Sequence, residues 1–233
     1  MRHRDSFVVE VMRGRLVESR HQLVVAVVDL DGRLVSGWGD IEAPIYPRSA
    51  IKPIQAIPLV LSGAADSFGV TPPELALVCG SHAGTAAHIA VATAMMERTG
   101  SRPDDLECGS HPPSDPVAAR ALIAANLAPT VLHNNCAGKH LGMIATARHC
   151  GEPIAGYTAP SHPVQRRILA RLEGLGGVTL SAPPVGVDGC SAPTFSLPLL
   201  ALATAIARFA TPDRLEAPLA AACRRIGAAM AAA

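Results

Sequence analysis

The segment Arg48-Ser49-Ala50-Ile51-Lys52-Pro53 stands where the sequence changes from strand to helix periodicity. Before it, residues 7–12 alternate in polarity, and residues 23–30 form a β-branched run that ends at the hairpin dipeptide Asp31-Gly32. Residues 33–38 supply a return strand. After the segment, the spacing of apolar residues becomes helical. We therefore predict an antiparallel meander followed by packed helices, which is an α+β fold.

Helical periodicity continues through most of the chain after residue 40. Helices are predicted at residues 51–61, 71–78, 85–99, 115–126, 137–149, 163–173, 195–209 and 213–230. Prolines at 53 and 58 should bend the first helix, and Thr71-Pro72-Pro73-Glu74 is a capping box that starts the second. The stretch 181–193, rich in Pro and Gly, is expected to be irregular. No linker or repeat divides the sequence, so we predict a single domain, residues 1–233.

The composition indicates a soluble protein that binds small molecules. Hydrophobic residues make up 49% of the chain and the mean hydropathy is +0.28, yet only one Trp, two Tyr and four Phe are present. Small aliphatic side chains should therefore fill the core, with closely packed helices. A net charge of +1 without basic clusters argues against nucleic acid as a partner. Residues 1–5 show no signal-peptide pattern and the apolar stretch 197–207 is too short to span a membrane, so we expect a cytoplasmic location.

The two lysines of the chain each follow a potential nucleophile by three residues. They contrast with eighteen arginines, and the pairs are Ser49 with Lys52 and Cys136 with Lys139. Arginine stays charged at any working pH, whereas a buried lysine can lose its proton and act as a base or a metal ligand. Lysine at these two positions therefore indicates a role for a neutral amine.

Ser49 precedes the first predicted helix, where a serine most often serves as the N-cap. The same geometry would place Lys52 one turn away and direct helix N–H groups at an oxyanion. For Lys52 to act as a base, its pKa must fall by about three units, roughly 4 kcal/mol, which requires burial and a nearby cation such as Arg48. The spacing Ser-x-x-Lys is the nucleophile signature of penicillin-binding proteins and β-lactamases.

A second serine, Ser81, lies beside His82 in the Gly-rich turn of residues 79–84. Glycines in such a turn let the backbone approach a ligand closely. An adjacent Ser-His pair in a turn is more often structural, because neighbouring side chains seldom face each other. The spacing therefore leaves both a structural and a functional reading of Ser81 open.

Cys136, Lys139 and Cys190 offer two thiols and an amine to a metal ion. A zinc site with three protein ligands leaves one position open for water or substrate, which is typical of a functional site. From spacing alone, buried core cysteines are the more common explanation. His140 is an alternative ligand to Lys139.

Four ordered motifs resemble the rhizobial-type L-asparaginases, the asparaginase II family. They are Arg48-Ser49-Ala50-Ile51-Lys52-Pro53, Cys79-Gly80-Ser81-His82, Asn134-Asn135-Cys136-Ala137-Gly138-Lys139-His140 and Asp188-Gly189-Cys190-Ser191-Ala192-Pro193. The resemblance covers the chain from the first strand to about residue 210. It implies a serine-β-lactamase-like fold and hydrolysis of L-asparagine to aspartate and ammonia.

The resemblance also implies the composition of the active site. Ser49 with Lys52 would supply nucleophile and base, with Ser81 assisting proton transfer, and a Zn²⁺ ion would be held by the residues at 136, 139 and 190. The residues expected to bind substrate are Arg48, His82, Asn135, His140 and Asp188. Of these, Asp188 is the candidate acidic partner for the substrate's α-amino group.

The chain departs from that family at its C-terminus. Family members continue well past residue 233, and that part would supply closing strands and a lysine that partners Ser81, whereas no lysine follows Lys139 here. We therefore predict a C-terminally incomplete domain whose uncovered sheet edge invites pairing, and we expect a homodimer. Two alternatives stay open. One is another Ser-x-x-Lys hydrolase, such as a glutaminase or a β-lactamase-like enzyme, although Lys-Thr-Gly is missing, and the other is a metal-binding remnant without turnover.

Overall fold

Two β-hairpins form the first part of the molecule. The computed structural model describes residues 2, 3 and 7–233. Its first strands are β1 (Arg2–His3), β2 (Phe7–Arg13), β3 (Leu16–Leu23), β4 (Val25–Val28) and β5 (Leu34–Trp38). β2 pairs antiparallel with β3, and β4 pairs antiparallel with β5, which β1 joins in parallel. The segment that we expected to show no signal peptide, residues 1–5, lies largely outside the described residues.

The strands form two separate sheets rather than the single meander that we predicted. β2 and β3 make a two-stranded sheet, and the other three make a sheet of order β1-β5-β4. The sequence did not indicate β3, because a hairpin with both faces exposed does not need alternating polarity. This hairpin carries a set of exposed apolar side chains: Phe7, Val8, Val9, Val11, Met12, Leu16 and Leu23.

Ten helices follow the hairpins in the described part of the chain. They are α1 (Lys52–Gln55), α2 (Ile57–Leu61), α3 (Ala64–Ser67), α4 (Pro72–Cys79), α5 (Ala86–Arg98), α6 (Pro116–Ala124), α7 (Ala137–His149), α8 (Pro163–Gly176), α9 (Leu199–Ala210) and α10 (Ala217–Ala231). The helices predicted from residue 71 onward are confirmed, although the last two begin four residues later than expected. None of the described helices has the length and apolar character needed to cross a bilayer. The α+β class is confirmed, and the likeness to serine β-lactamases stays a prediction.

The first predicted helix is divided rather than only bent. Pro53 and Pro58 each lie in the first turn of a short helix, α1 and α2, and Ala56 separates the two. A proline is tolerated in a first turn because its missing N–H has no helical partner there. The break therefore follows from the spacing of the two prolines.

The predicted capping box fixes the start of α4. The backbone N–H of Thr71 donates to Glu74 Oε2 at 2.7 Å, and Thr71 Oγ1 donates to the same oxygen at 2.9 Å. Arg98 of α5 donates to the other carboxylate oxygen at 3.2 Å. These bonds hold the helix whose C-terminal end leads directly into the turn that carries Ser81.

The helix α7 lies at the centre of the core. All of its residues from Ala137 to Ala147 are buried. A β-carbon at Gly138 would lie only 2.4 Å from the carbonyl oxygen of Leu77 in α4, so the two helices touch backbone to backbone. This contact confirms the expectation that small side chains bring helices close together.

Two short antiparallel ladders return the chain to the same region. β6 (Pro44–Ile45) pairs with β9 (Leu197–Pro198), and β7 (Val185–Val187) pairs with β8 (Pro193–Phe195). Two predictions were therefore wrong in part. One was that residues 181–193 are irregular, and the other was that the chain after residue 40 is nearly all helix and loop. Gly and Pro mark the β7–β8 turn correctly, but the strands beside it are too short to show a period.

Candidate active site

Lys52 is the first residue of α1, and its side chain is buried. Its Nζ donates to the carbonyl oxygen of Gly80 at 2.6 Å, to Ser81 Oγ at 2.8 Å and to the carbonyl oxygen of Asn135 at 3.4 Å. One amine therefore links the start of α1 to the turn after α4 and to the segment before α7. All three meeting segments belong to the motifs quoted above.

The pKa of Lys52 lies below its ordinary value of 10.5, mainly because the amine is buried. The Cys136 side chain opposes this shift, and the positive charge of Lys139 adds to it. Arg48, the cation that we expected to act on this amine, pairs with Asp188 instead. The lowered pKa favours the neutral amine, which a base requires.

Ser49 lies inside a 3₁₀ turn, Arg48–Ile51, and Pro47 rather than Ser49 occupies the cap position. Its side chain is exposed and makes no hydrogen bond to Lys52 within residues 7–233. Arg48 has a φ of +49°, a backbone conformation that is uncommon for residues other than glycine. The expected direct contact between the first serine and its lysine is thus replaced by the contact with Ser81.

The turn between β7 and β8 presents Asp188 and Cys190 to the same region. It is closed by two backbone bonds, from Asp188 N to Ala192 O and from Ser191 N to Asp188 O, both 2.9 Å. Ser191 adopts a φ of +67°, which reverses the chain after Cys190. Arg48 Nε donates to Asp188 Oδ1 at 3.1 Å and so ties this turn to the 3₁₀ turn.

A polar pocket of about 230 Å³ lies where these segments meet. Its lining residues are Arg48, Ser49, His111, Asn134, Asn135, Cys136, Asp188, Gly189 and Cys190. The volume suits a ligand smaller than a typical drug molecule. The exposed serine hydroxyl, a carboxylate and the two thiols thus share one small cavity.

Cys136 and Cys190 line this pocket, and both are buried, as is Lys139. Lys139 Nζ donates to Cys190 Sγ at 3.2 Å. A hydrogen bond between the two thiols lowers the pKa of Cys190 and raises the pKa of Cys136. These opposite shifts favour the thiolate form more at Cys190 than at Cys136.

A second cavity, of about 330 Å³, opens beside Ser81 and is lined in part by His82 and His88. His82 is buried, its Nδ1 accepts from the backbone N–H of Gly84 at 3.2 Å, and its ring stacks on that of His88 with centroids 5.4 Å apart. Burial is the main reason that the pKa of His82 falls to about 4. Because Lys52 bonds both Ser81 and Asn135, its amine lies between the two cavities.

A family comparison covers every segment of this site. The family model of L-asparaginase II matches residues 9–233 and so includes all four motifs. This chain belongs to the L-asparaginase II family. The family supports an amidohydrolase that acts on asparagine. A search of curated proteins gives no match.

Three side chains of this asparaginase II chain fit the zinc ion that the resemblance implies. The Lys139 amine donates to the Cys190 sulfur, and Cys136 interacts with the same sulfur, so two thiols and an amine adjoin one another. Thiolate sulfur and nitrogen are the donors that zinc prefers. Within residues 7–233 no three side chains drawn from His, Cys, Asp and Glu alone converge closely enough to hold a metal, so a metal bound here would require Lys139 as its third protein donor.

The predicted substrate-binding residues divide into three groups. Arg48, Asn135 and Asp188 line the polar pocket. His82 lines the second cavity instead. His140, which we also considered as a ligand in place of lysine, is fully buried within α7.

Sequence reasoning missed His111 and the role of Asn134. His111 Nε2 accepts from the backbone N–H of Asn135 at 2.9 Å, and Asn134 Oδ1 accepts from the backbone N–H of Cys136 at 2.9 Å. Asn134 also donates to the carbonyl oxygen of Cys108 at 2.8 Å. Asn134 stands in a quoted motif, which was a usable signal, whereas a histidine in an irregular segment carries none.

Proposed function

We propose that this chain hydrolyses L-asparagine to L-aspartate and ammonia with a serine nucleophile and Lys52 as its base. The observation that carries the proposal is the buried amine of Lys52, which has a lowered pKa and contacts Ser81 Oγ at 2.8 Å next to the pocket that Ser49 lines. A neutral amine at this distance from a hydroxyl group is able to accept a proton and return it.

Ser49 is the proposed nucleophile, because its hydroxyl group is exposed on the polar pocket. Its Oγ attacks the carboxamide carbon of the substrate side chain, and its proton passes to Lys52. The amine then gives that proton to the nitrogen of the tetrahedral intermediate, and ammonia leaves. Water hydrolyses the resulting ester to aspartate, while the same amine takes and returns the proton of the water.

Ser81 relays the proton in this proposal. Lys52 bonds Ser81 rather than Ser49, and a hydroxyl group both donates and accepts hydrogen bonds. This route therefore requires Ser49 to come within hydrogen-bond reach of Ser81 Oγ, which then passes the proton to the amine. The same contact makes Ser81 the rival nucleophile, and the position of the acyl group discriminates between the two serines.

We also propose that Cys136, Lys139 and Cys190 bind Zn²⁺. The ion would supply a Lewis-acid contact to a substrate group in the polar pocket. The chain itself contributes a buried set of donors at the pocket wall and a carboxylate, Asp188, for the α-amino group of the substrate. Arg48 restrains that carboxylate through the 3.1 Å bond to its Oδ1.

A homodimer and a cytoplasmic location complete the proposal. The exposed apolar residues of the β2–β3 hairpin support a dimer, because monomers rarely expose large contiguous apolar patches. Light scattering on the purified protein measures its mass against the 24.0 kDa of one chain. A single species with the mass of one chain would contradict the dimer.

Ammonia release from L-asparagine tests the activity, with Ser62→Ala as the control for Ser49→Ala and Ser81→Ala. Ser62 lies at the end of α2 and bonds only local backbone atoms, so its replacement should leave turnover unchanged. We expect Ser49→Ala to be inactive and mass spectrometry of quenched reactions to find the acyl group on Ser49. An acyl group on Ser81 would exchange the two roles.

The same assay separates the alternatives. Turnover of L-glutamine or a β-lactam in preference to L-asparagine would contradict the proposed substrate. Zinc binding without turnover of any of them would identify the chain as a metal-binding remnant.

A further inference from the structure

The loop of residues 108–115, which precedes α6, lies against the turn that follows α4. The backbone N–H of Asp115 donates to the carbonyl oxygen of Ala83 at 3.0 Å. A β-carbon added to Gly84 would lie only 3.0 Å from Pro113 Cβ, so the loop and the turn are in close contact. Since the same turn carries the second serine of the site, the loop is fixed to one wall of the candidate active site.

The other side of this loop bonds the segment that precedes α7. The side-chain amide of Asn134 donates to the carbonyl oxygens of Cys108 at 2.8 Å and Gly109 at 3.2 Å. His111 Nε2 accepts from the backbone N–H of Asn135 at 2.9 Å. One amide and one imidazole therefore attach this segment to the loop.

The ring of His111 is oriented by its neighbour in the chain. Its Nδ1 atom lies 2.7 Å from the carbonyl oxygen of Pro112, and a carbonyl oxygen only accepts hydrogen bonds. The ring N–H is therefore at Nδ1, which leaves the lone pair of Nε2 for the bond from Asn135. Both ring nitrogens are thus used in holding the backbone.

Asn135 transmits this restraint to the amine of Lys52. The carbonyl oxygen of Asn135 accepts from Lys52 Nζ at 3.4 Å and from the backbone N–H of His82 at 3.3 Å, and the carbonyl oxygen of Gly80 accepts from the same amine at 2.6 Å. Besides its bond to Cε, the amine nitrogen has three tetrahedral directions, and the two carbonyl oxygens occupy two of them. The third direction is left for Ser81 Oγ, 2.8 Å away, whether it holds a hydrogen atom or a lone pair.

We propose that His111 is a positioning residue, which holds Asn135 in place and so keeps the Lys52 amine directed at Ser81. It acts through the backbone of Asn135 and takes no part in proton transfer, because both of its ring nitrogens are already bonded. The inference rests on the proposed function for its effect on turnover, whereas the arrangement of the amine is a property of the fold alone. Misplacing a catalytic group by about 1 Å costs up to about 100-fold in rate.

The kinetics of His111→Leu and His111→Gln test this role. Leucine has no acceptor, so kcat for L-asparagine should fall by about 10- to 100-fold while KM stays within a few-fold of the parent value. The amide oxygen of glutamine is able to accept from the Asn135 N–H, so His111→Gln should return kcat to within a few-fold of the parent. His149→Ala is the control, because His149 is an exposed histidine at the end of α7.

Three kinetic results would overturn the proposal. Parental kcat in a folded His111→Leu would show that Asn135 needs no support from the imidazole. A raised KM with parental kcat would show instead that His111 binds substrate in the polar pocket. Equal losses of kcat in the leucine and glutamine variants would show that an acceptor at this position has no role. Thermal melting checks the folding of each variant, and His111→Ala repeats the test if the leucine variant does not fold.

Crystal structures of the parent and of His111→Leu provide a readout that needs no turnover. We expect the carbonyl oxygen of Asn135 to move out of hydrogen-bond distance of Lys52 Nζ in the variant. Unchanged positions of these atoms in the variant would overturn the proposal. A parent protein without asparaginase activity would refute the proposed function, and the two structures would still decide the role of His111.

Discussion

The amine of Lys52 lies 2.8 Å from Ser81 Oγ, 29 residues away in sequence, although Ser49 is only three residues away. A Ser-x-x-Lys spacing therefore brings this lysine to a second serine in the folded chain. The contact makes proton transfer depend on α4, because the turn after that helix carries Ser81. The first prediction follows from this dependence.

Replacing Lys52 with arginine or methionine should abolish most of the activity. Neither side chain accepts a proton at neutral pH, so we expect kcat to fall by about 10²- to 10⁴-fold in both variants. Ammonia release measures kcat, and thermal melting shows whether the buried position tolerates the change. A folded variant with parental kcat would refute the base role of Lys52.

Lys139→Arg should weaken zinc binding, because a guanidinium group offers no lone pair to a metal. Affinity of the parent should also fall as pH drops, since protons compete for the amine and the thiolates. Elemental analysis and chelator competition across pH measure both effects. Cys150→Ala is the control, because Cys150 lies at the far end of α7 and should not change zinc content. Unchanged zinc in both Lys139→Arg and Cys190→Ala would contradict the ligand set.

The pH dependence of the free energy of unfolding should reveal the titration of His82. Its pKa falls from 6.5 to about 4 in the folded protein, so the unfolded chain binds more protons between these values and the free energy of unfolding falls as pH drops through this range. At pH 4.5 the loss from this one group is about 2–3 kcal/mol relative to pH 7.

His82→Asn provides the comparison, because its amide oxygen is able to accept the bond from Gly84 but does not titrate. Urea unfolding at pH 7 and pH 4.5 should show a smaller loss of stability in this variant than in the parent. Equal losses in the two proteins would show that His82 is not the titrating group.

Gly138→Ala should destabilise the fold, because the new β-carbon would lie 2.4 Å from the carbonyl oxygen of Leu77. Overpacking of this kind costs about 1–3 kcal/mol. Gly227→Ala in α10 is the matched control, since nothing lies within 4 Å of its added carbon, and it should gain about 0.5–1 kcal/mol. Chemical denaturation measures both, and equal stabilities would contradict the backbone contact between α4 and α7.

Features set by local chemistry were predictable from the sequence. Thr71 and Glu74 define the start of α4 by their own hydrogen bonds, and Pro53 and Pro58 divide α1 from α2 because each lacks an N–H group. The strands missed were β3, which lies on an exposed hairpin and needs no alternation, and the short ladders near residue 190. Their pairing depends on distant segments and leaves no local pattern.

The candidate site likewise contains residues that the sequence indicates and partners that only the folded structure reveals. Spacing made candidates of two pairs, Ser49 with Lys52 and Cys136 with Lys139, because each pair lies within one motif, and their roles stay predictions. Partners brought together by the fold left no such signal, as His111 shows by bonding a backbone group 24 residues away. Likewise, we expected Arg48 to be the cation that acts on Lys52, but Lys139 has that role and Arg48 pairs with Asp188. The difference depends on where each side chain points, which the sequence does not show.

The burial of α7 has a consequence for how the candidate active site unfolds. Amide hydrogens in the most buried helix of a domain exchange with solvent only when the whole domain opens, whereas those in exposed hairpins exchange through local openings. Lys139 and His140 lie on α7, within its buried run from Ala137 to Ala147. The amine and the imidazole should therefore stay in place for as long as the domain is folded, and slow deuterium uptake along this helix should coincide with global unfolding.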